Sequence, residues 1–265
     1  MIVACLKWVG VPGRSEPGDD RFEGISAADQ AALESALRRA AVTGDAVTAL
    51  TVGASSAERA CRDALACGAA RAIRIDAVPD LPSAAVALLL AGISAGADSV
   101  WCGDHSRDRG SGSVPAFLAG ELGIGQALGV VGVDSGADGA IELVRRLDGG
   151  RREVLRATTP VVVSVEGSVA RLRRASLPAL LAARSAIIET VDGGRPLAVA
   201  ASVDIRPYRP RPRALAGPHG STALDRIREL TDATVAPRAR GEVADLDPPA
   251  AALRIATALR EWGYL

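Results

Sequence analysis

The sequence predicts an α/β protein built on a parallel sheet, and three observations predict it. Short apolar runs rich in β-branched residues alternate with stretches of helical apolar spacing through residues 1–125. The fourth of those runs ends in a polar loop, Gly103 to Arg109, and Gly110-Ser111-Gly112-Ser113 then leads into a helix. Beyond it the alternation stops, and strand-like runs follow one another with no helix between them. Alternating strands and helices imply a parallel sheet covered on both faces. The consecutive strands predict an antiparallel extension from about residue 127.

Taken in order, Ile2 to Leu6 is the first strand, followed by Lys7, Trp8 and a Gly/Pro-rich loop that contains Phe22. Ser26 opens the first helix: Ser26-Ala27-Ala28-Asp29 has capping spacing, and Ala32, Leu33, Ala36, Leu37 and Ala40 recur on one face as far as Gly44. Ala46 to Val52 is the second strand, and a helix capped by Ser55 runs through Cys67 to a stop at Gly68. Arg71 to Ile75 is the third strand, Pro82-Ser83 opens a helix through Gly96, and Asp98 to Cys102 is the fourth strand. Val114, Phe117, Leu118 and Leu122 share a helical face, with Pro115 in the first turn, where a missing N–H costs little. Ala127 to Val133, Ala140 to Leu147, Arg151 to Ala157 and Val161 to Val165 read as strands, with Asp148-Gly149-Gly150 as a hairpin turn. Pro178 starts a short helix, and Ile187 to Thr190 reads as a strand. The stretch 192–221 is rich in Pro, Arg and Gly, including 207–213, and reads as an extended arm before helices at Thr222 to Leu230 and Pro249 to Trp262. Two domains follow: residues 1–190, the α/β domain with its extension, and residues 191–265, an arm with terminal helices that docks on a partner.

Composition narrows the function. Basic and acidic side chains balance at 31 each, which argues against nucleic-acid or membrane-surface binding by bulk charge. Cys5, Cys61, Cys67 and Cys102 form no C-x-x-C pair, and His105 and His219 have no metal-ligand spacing beside them. No basic leader with a cleavage site precedes the first strand, whose apolar run breaks at Lys7, so the expected location is cytoplasmic. The longest uncharged stretch, Leu81 to Ala97, is too short to span a bilayer and holds Pro82, Gly92 and Gly96, so no membrane insertion is expected. No Ser-His-Asp or Cys-His arrangement is suggested. Nothing in the sequence reads as an active site for bond-making chemistry.

In a parallel sheet, ligands bind beyond the carboxyl ends of the strands, here Cys5-Leu6-Lys7, Val52-Gly53 and Gly103-Asp104. The loop before the fourth-strand helix would offer backbone N–H groups at a positive helix end, with serine hydroxyls beside them, which suits a phosphate. It is not a Walker loop, and the alternative reading is a tight turn with a serine cap. Arg107 and Arg109 either neutralise phosphate or sit on a solvated face. Asp104 and Asp108 either take ribose hydroxyls or cap the turn. Lys7 is either a ligand contact or a surface lysine at a strand end.

Four segments carry a family resemblance. Ala4-Cys5-Leu6-Lys7 is a first strand ending in lysine, and residues 29–38 form a first helix of the kind Asp-Gln-Ala-Ala-Leu-Glu. Arg62-Asp63-Ala64-Leu65-Ala66-Cys67-Gly68-Ala69-Ala70-Arg71-Ala72 is similar to a segment R-x-A-L-A-M-G-A-D-R-A. Asp148-Gly149-Gly150 followed by Ala175-Ser176-Leu177-Pro178 matches a D-G-G hairpin with A-[ST]-L-P behind it. In this order they resemble the β subunit of an electron transfer flavoprotein, over most of residues 1–230. The resemblance implies a Rossmann-like, alpha-hydrolase-like fold that binds an adenine nucleotide, AMP or a second FAD in the same pocket. It also implies a heterodimer with a larger α subunit whose FAD this chain braces, passing electrons from a dehydrogenase to an acceptor. The phosphate loop would fall on Gly103 and on Asp104 through Val114, including His105, Arg107, Gly110, Ser111, Gly112 and Ser113. The nucleoside would lie by Cys5, Lys7, Ser26, Ala27 and Val52. Leu177 falls where the family presents an anchor leucine to dehydrogenases, its alternative being an ordinary core leucine. His105 would donate to phosphate or to a reduced flavin, or be a surface loop histidine.

The chain departs from the family at several points. Trp8-Val9-Gly10-Val11 replaces Arg-Val-x-Asp after Lys7, and Ile25-Ser26-Ala27 replaces Asn-Pro-Phe/Tyr, leaving Phe22 or Trp8 as the aromatic near a flavin. Ser111-Gly112-Ser113-Val114 stands for Thr-Gly-Gln-Val, and the tail is longer. These mark a divergent member, and service beside an actinobacterial peptide-cofactor (mycofactocin-type) dehydrogenase fits them. A nucleotide-binding sensor of the universal stress protein type is the alternative; the extension and the Ala-Ser-Leu-Pro segment argue against it.

Overall fold

Ile2–Cys5 (β1) is buried on both faces: Ile2 and Ala4 enter one apolar core, Val3 and Cys5 the other. That is the signature of a central parallel strand. The computed structural model describes residues 1–10, 23–78, 81–135, 139–194, 217–231 and 244–264. The chain divides into two compact units, Met1–Ser202 and Val203–Leu265.

In the first unit, Ala27–Thr43 (α1) follows β1, then Val47–Val52 (β2), Glu58–Cys67 (α2), Arg71–Asp76 (β3), Ser83–Ser94 (α3), Ser99–Gly103 (β4) and Val114–Leu122 (α4). Next come Gly125–Ser135 (β5), Ile141–Arg146 (β6), Arg152–Ala157 (β7), Val161–Val165 (β8), Leu177–Ser185 (α5) and Glu189–Asp192 (β9). One nine-stranded sheet results, in the order β7-β6-β5-β8-β4-β1-β2-β3-β9. The pairs from β5 through β8, β4, β1, β2 and β3 to β9 are parallel; β5–β6 and β6–β7 are antiparallel. Helices cover both faces: α1 and α2 bury alanines and Leu33 against one, and α3 and α4 put Leu90 and Leu118 into the other. Trp101, fully buried, fills the α1 side and donates its indole N–H to Ser99 at 3.0 Å.

The expected antiparallel extension is corrected in extent. Val161–Val165 does not belong to it, because this strand runs parallel between β4 and β5 at the heart of the sheet. Its five residues, Val-Val-Val-Ser-Val, are all buried, and a run without polar alternation, four of its five residues β-branched, is what two covered faces demand. Strand β5 itself pairs parallel with β8 at its start and antiparallel with β6 further on. The antiparallel part is therefore the β6–β7 ribbon against the far end of β5.

Arginines tie the later segments to the body. Arg173 donates from its guanidinium and its backbone N–H to Glu34 of α1, at 2.9–3.2 Å. Arg71 grips Glu189 of β9 with two nitrogens at 2.6–2.9 Å. Arg62 of α2 donates to the carbonyls of Ala183, Arg184 and Ala186, each at 2.9 Å, and so caps the C-terminus of α5.

In the second unit, Ala223–Leu230 (α6) is capped by Thr222 and Pro248–Glu261 (α7) by Asp247. Neither helix has a buried residue, and Leu224, Ile227, Leu253 and Ile255 are exposed. Phe22 and the 207–213 stretch lie outside the described residues.

Candidate functional site

Strand β1 is the switch point of the sheet: the chain runs from it to β2 and β3 on one side, while β4 flanks it on the other. Its register partners put Cys5 beside Leu50 and Cys102, so the carboxyl ends of β1, β2 and β4 finish level. A cleft with about 790 Å³ of empty space, its open mouth included, lies beyond them. The strand ends contribute Cys5, Leu6, Lys7, Val52, Cys102 and Gly103. Across from them Ser83, Val86 and Leu90 form one stripe of α3, with Leu81 just before it. His105, Ser106, Arg109 and Ser111 through Pro115 close the remaining side.

Two glycines shape this wall. A Cβ at Gly103 would lie 2.6 Å from a carboxylate oxygen of Asp29 and 2.9 Å from its backbone nitrogen, so β4 ends pressed on the start of α1. Gly112 has a φ of +61°, and a Cβ there would meet the carbonyl oxygen of Asp104 at 2.4 Å. The loop is thus folded tightly on itself. Ser111 and Ser113 stand 3.1 Å apart through their hydroxyls, and no side chain caps the N-terminus of α4. A helix end left open beside two hydroxyls suits an oxyanion.

Other loop side chains hold the loop in place. The Asp104 N–H donates to Val165 at 3.0 Å, and its carboxylate faces His105 Nδ1 at 2.7 Å. Arg107 donates to the Ile25 carbonyl, and Arg109 to the Leu81 carbonyl at 2.7 Å. The Lys7 ammonium meets Asp108 at 2.6 Å. Burial works against the charge of Asp108, but hydrogen bonds from Lys7 and Ser106 prevail and hold its carboxyl below the usual range.

Of the residues expected at the site, Cys5, Lys7, Val52, Gly103, His105, Ser111, Gly112, Ser113 and Val114 come together around the cleft. Ser26, Ala27, Asp104, Arg107 and Gly110 are not among its lining. Ser26 is buried as the α1 cap, and its hydroxyl accepts the Asp29 N–H at 2.9 Å. Ala27 faces Gly167, where an added Cβ would come within 2.9 Å of its own.

Asp29 is a lining residue that the sequence did not mark as part of the site, as are Ser83, Val86 and Leu90 of α3. Asp29 is 6% exposed. Burial pushes its carboxyl up to about 6, against hydrogen bonds from the backbones of Lys7, Ser26 and Gly103 and from the Ser26 side chain. Its signal in the sequence was the fourth position of Ser-x-x-Asp, read there as a cap alone. Below it the Cys102 thiol is pushed up, by its hydrogen bond to Cys5 and by burial, with the Asp29 charge adding to both.

Leu177, the first residue of α5, is 68% exposed, and Leu180 and Leu181 beside it are exposed as well. It is not a core leucine. Helix α5 buries only Ala183, so it shows leucines to solvent from a fixed base.

Residues 20–194 match the family described as Electron transfer flavoprotein domain. The chain belongs to that family. The match runs from the approach to α1 through β9, taking in the β6–β7 ribbon and α5. The chain is also similar to Protein FixA of Bradyrhizobium diazoefficiens, at 32% identity over 177 residues, 62% of this chain and 61% of that protein. It thus spans about three-fifths of the length of the curated relative it matches. Together these make it an electron transfer flavoprotein chain of the β-subunit type, and they do not favour the stress-sensor reading. Among the described residues no helix is long and apolar enough to cross a membrane, and no cluster of His, Cys, Asp and Glu could hold a metal ion.

Proposed function

We propose that this chain is the small subunit of a heterodimeric electron transfer flavoprotein. In this reading it holds AMP in the β1/β2/β4 cleft and braces the FAD of a larger α subunit. The heterodimer carries electrons from a dehydrogenase to a downstream acceptor in the cytoplasm, and the chain makes and breaks no bonds of its own.

One observation supports the nucleotide assignment above the rest. A single cleft joins an apolar stripe, Val52, Val86, Leu90 and Val114, to the open N-terminus of α4 with its paired serines. An adenine suits the first part and a phosphate the second. The donor set is hydroxyls, helix-end N–H groups and the Arg109 cation, which is the chemistry of a phosphate rather than of a metal. Bound there, the nucleotide supplies no redox chemistry; an FAD in the same cleft would. The chain's own part is to orient the ligand and exclude water. The Leu177, Leu180 and Leu181 face of α5 is then the surface that meets the dehydrogenase. Divergence around Trp8 and Ser26 fits a specialised donor, such as a peptide-cofactor-dependent dehydrogenase.

The test is to co-express the chain with the adjacent α-subunit gene, denature the purified complex and identify the released nucleotides. One FAD and one AMP per heterodimer is the expected result. Two FAD would mean that the cleft holds a second flavin. A homodimer that releases AMP or ATP and no flavin would overturn the assignment.

A further inference from the structure

The Asp29 carboxylate occupies an unusual place. It lines the cleft, yet it also accepts the Lys7 N–H at 3.2 Å, the Gly103 N–H and the N-terminal groups of α1 at Ser26. One side chain therefore ties the ends of β1 and β4 to the start of α1, and those three elements form the floor of the cleft. Gly103 packs so close to it that no Cβ fits between them. A carboxylate has about four acceptor sites and no donor. Protonated, it carries an O–H that points at a ring of N–H donors, and at least one of those bonds is lost.

We propose that Asp29 is a positioning residue whose ionised form sets the floor of the cleft, so that nucleotide binding is linked to the loss of its proton. The proposal rests on the reading of the cleft as a nucleotide site. Burial supports it by keeping the carboxyl half-ionised at about pH 6 rather than far below. The other charged or titratable groups around it are Cys5 on β1, Lys7 just beyond its end, Cys102 on β4, and His105, Arg107 and Arg109 in the loop. The Lys7 ammonium is directed to Asp108 and Arg107 to the Ile25 carbonyl, and α3 contributes no ionisable side chain to the cleft. By linkage, the affinity is full where Asp29 is ionised and falls as the pH drops through about 6. One linked proton weakens binding about tenfold between roughly pH 7.5 and pH 5.

Nucleotide-stripped full chain is titrated by calorimetry with AMP and with adenosine over this range. Adenosine is needed because a phosphate's own second proton titrates near about 6. The expected result is an approximately tenfold loss of affinity at low pH for both ligands, kept in His105→Gln and absent in Asp29→Asn. A slope seen with AMP alone, or one that persists in Asp29→Asn, overturns the proposal while the nucleotide site stands. No binding of either ligand at any pH overturns both. If Asp29→Asn does not fold, proton release by the unmutated chain decides. Adenosine binding near pH 5.5 in two buffers of different ionisation enthalpy is expected to release roughly one proton, and zero release overturns the proposal.

Discussion

At Gly112 the loop permits only one kind of residue. Positive φ costs a non-glycine residue about 1–2 kcal/mol, and here a methyl group would also strike the Asp104 carbonyl. Gly112→Ala is therefore expected to lower the melting temperature as well as to empty the cleft, so it cannot separate binding from folding. Ser111→Ala and Ser113→Ala do separate them. Both hydroxyls are at the surface of the cleft, and losing one hydrogen bond to a charged phosphate costs about 1.5–3 kcal/mol of affinity. Each variant should bind AMP roughly tenfold to a hundredfold more weakly, read by calorimetry, with an unchanged melting temperature. An unchanged affinity in both would move the phosphate elsewhere. The serines and glycines of this loop were legible in the sequence because their chemistry is local. Asp29 was not, since its second role arises only when β4 brings Gly103 against α1, 74 residues along the numbering from Asp29.

Helix α5 shows how an element can be fixed without being buried. Its leucines face solvent, and three carbonyls at its C-terminus are held by Arg62, a residue in a distant helix. Arg62→Ala should fray the last turn and disorder the leucine face, whereas Arg62→Lys keeps the charge but loses the second nitrogen, which meets Glu58 while the first holds the carbonyls. The expected outcome is slower electron transfer from the dehydrogenase in both, more so in the alanine variant, with FAD content unchanged. Leu177→Ala should slow the same step without changing the stability of the chain, because the side chain is exposed. Transfer kinetics equal to the parent chain would leave the leucines without a role. The Pro178 start of α5 was readable from local sequence. The arginine cap was not, since nothing near Arg62 in the chain indicates which carbonyls it reaches. The strands divide in the same way: β1 to β4 follow from alternation, while the place of β8 between β4 and β5 does not, because pairing order is not written in apolar content.

For the whole molecule, two carboxylates pull stability in opposite directions with pH. Burial alone would raise Glu34, but hydrogen bonds from Arg173 and Arg38 overcome it and hold its pKa down, so its contribution is present at neutral pH and lost as the medium becomes more acid than its ordinary range. Asp29 is raised to about 6, so the folded state takes up its proton first, and stability rises as pH falls from above 6 toward the unfolded value. A shift of that size corresponds to about 3 kcal/mol at most. Melting curves should therefore peak below neutrality, near pH 5, and Asp29→Asn should flatten the rise between pH 7 and that peak. A parent chain that loses stability steadily from pH 7 downward would contradict the raised carboxyl.

The place of β8 has a consequence for synthesis. The strand that completes the middle of the sheet is the eighth to leave the ribosome, after the β6–β7 ribbon. Until residues 161–165 emerge, β4 has β1 on one side and an open row of N–H and C=O groups on the other, beside fully buried Val100 and Trp101. An unpaired apolar edge of that kind recruits other chains. The nascent first half is thus sticky for as long as translation takes to reach Val161, and a chain stopped at residue 150 should collect in inclusion bodies although six of its strands and the helices α1 to α4 are already complete.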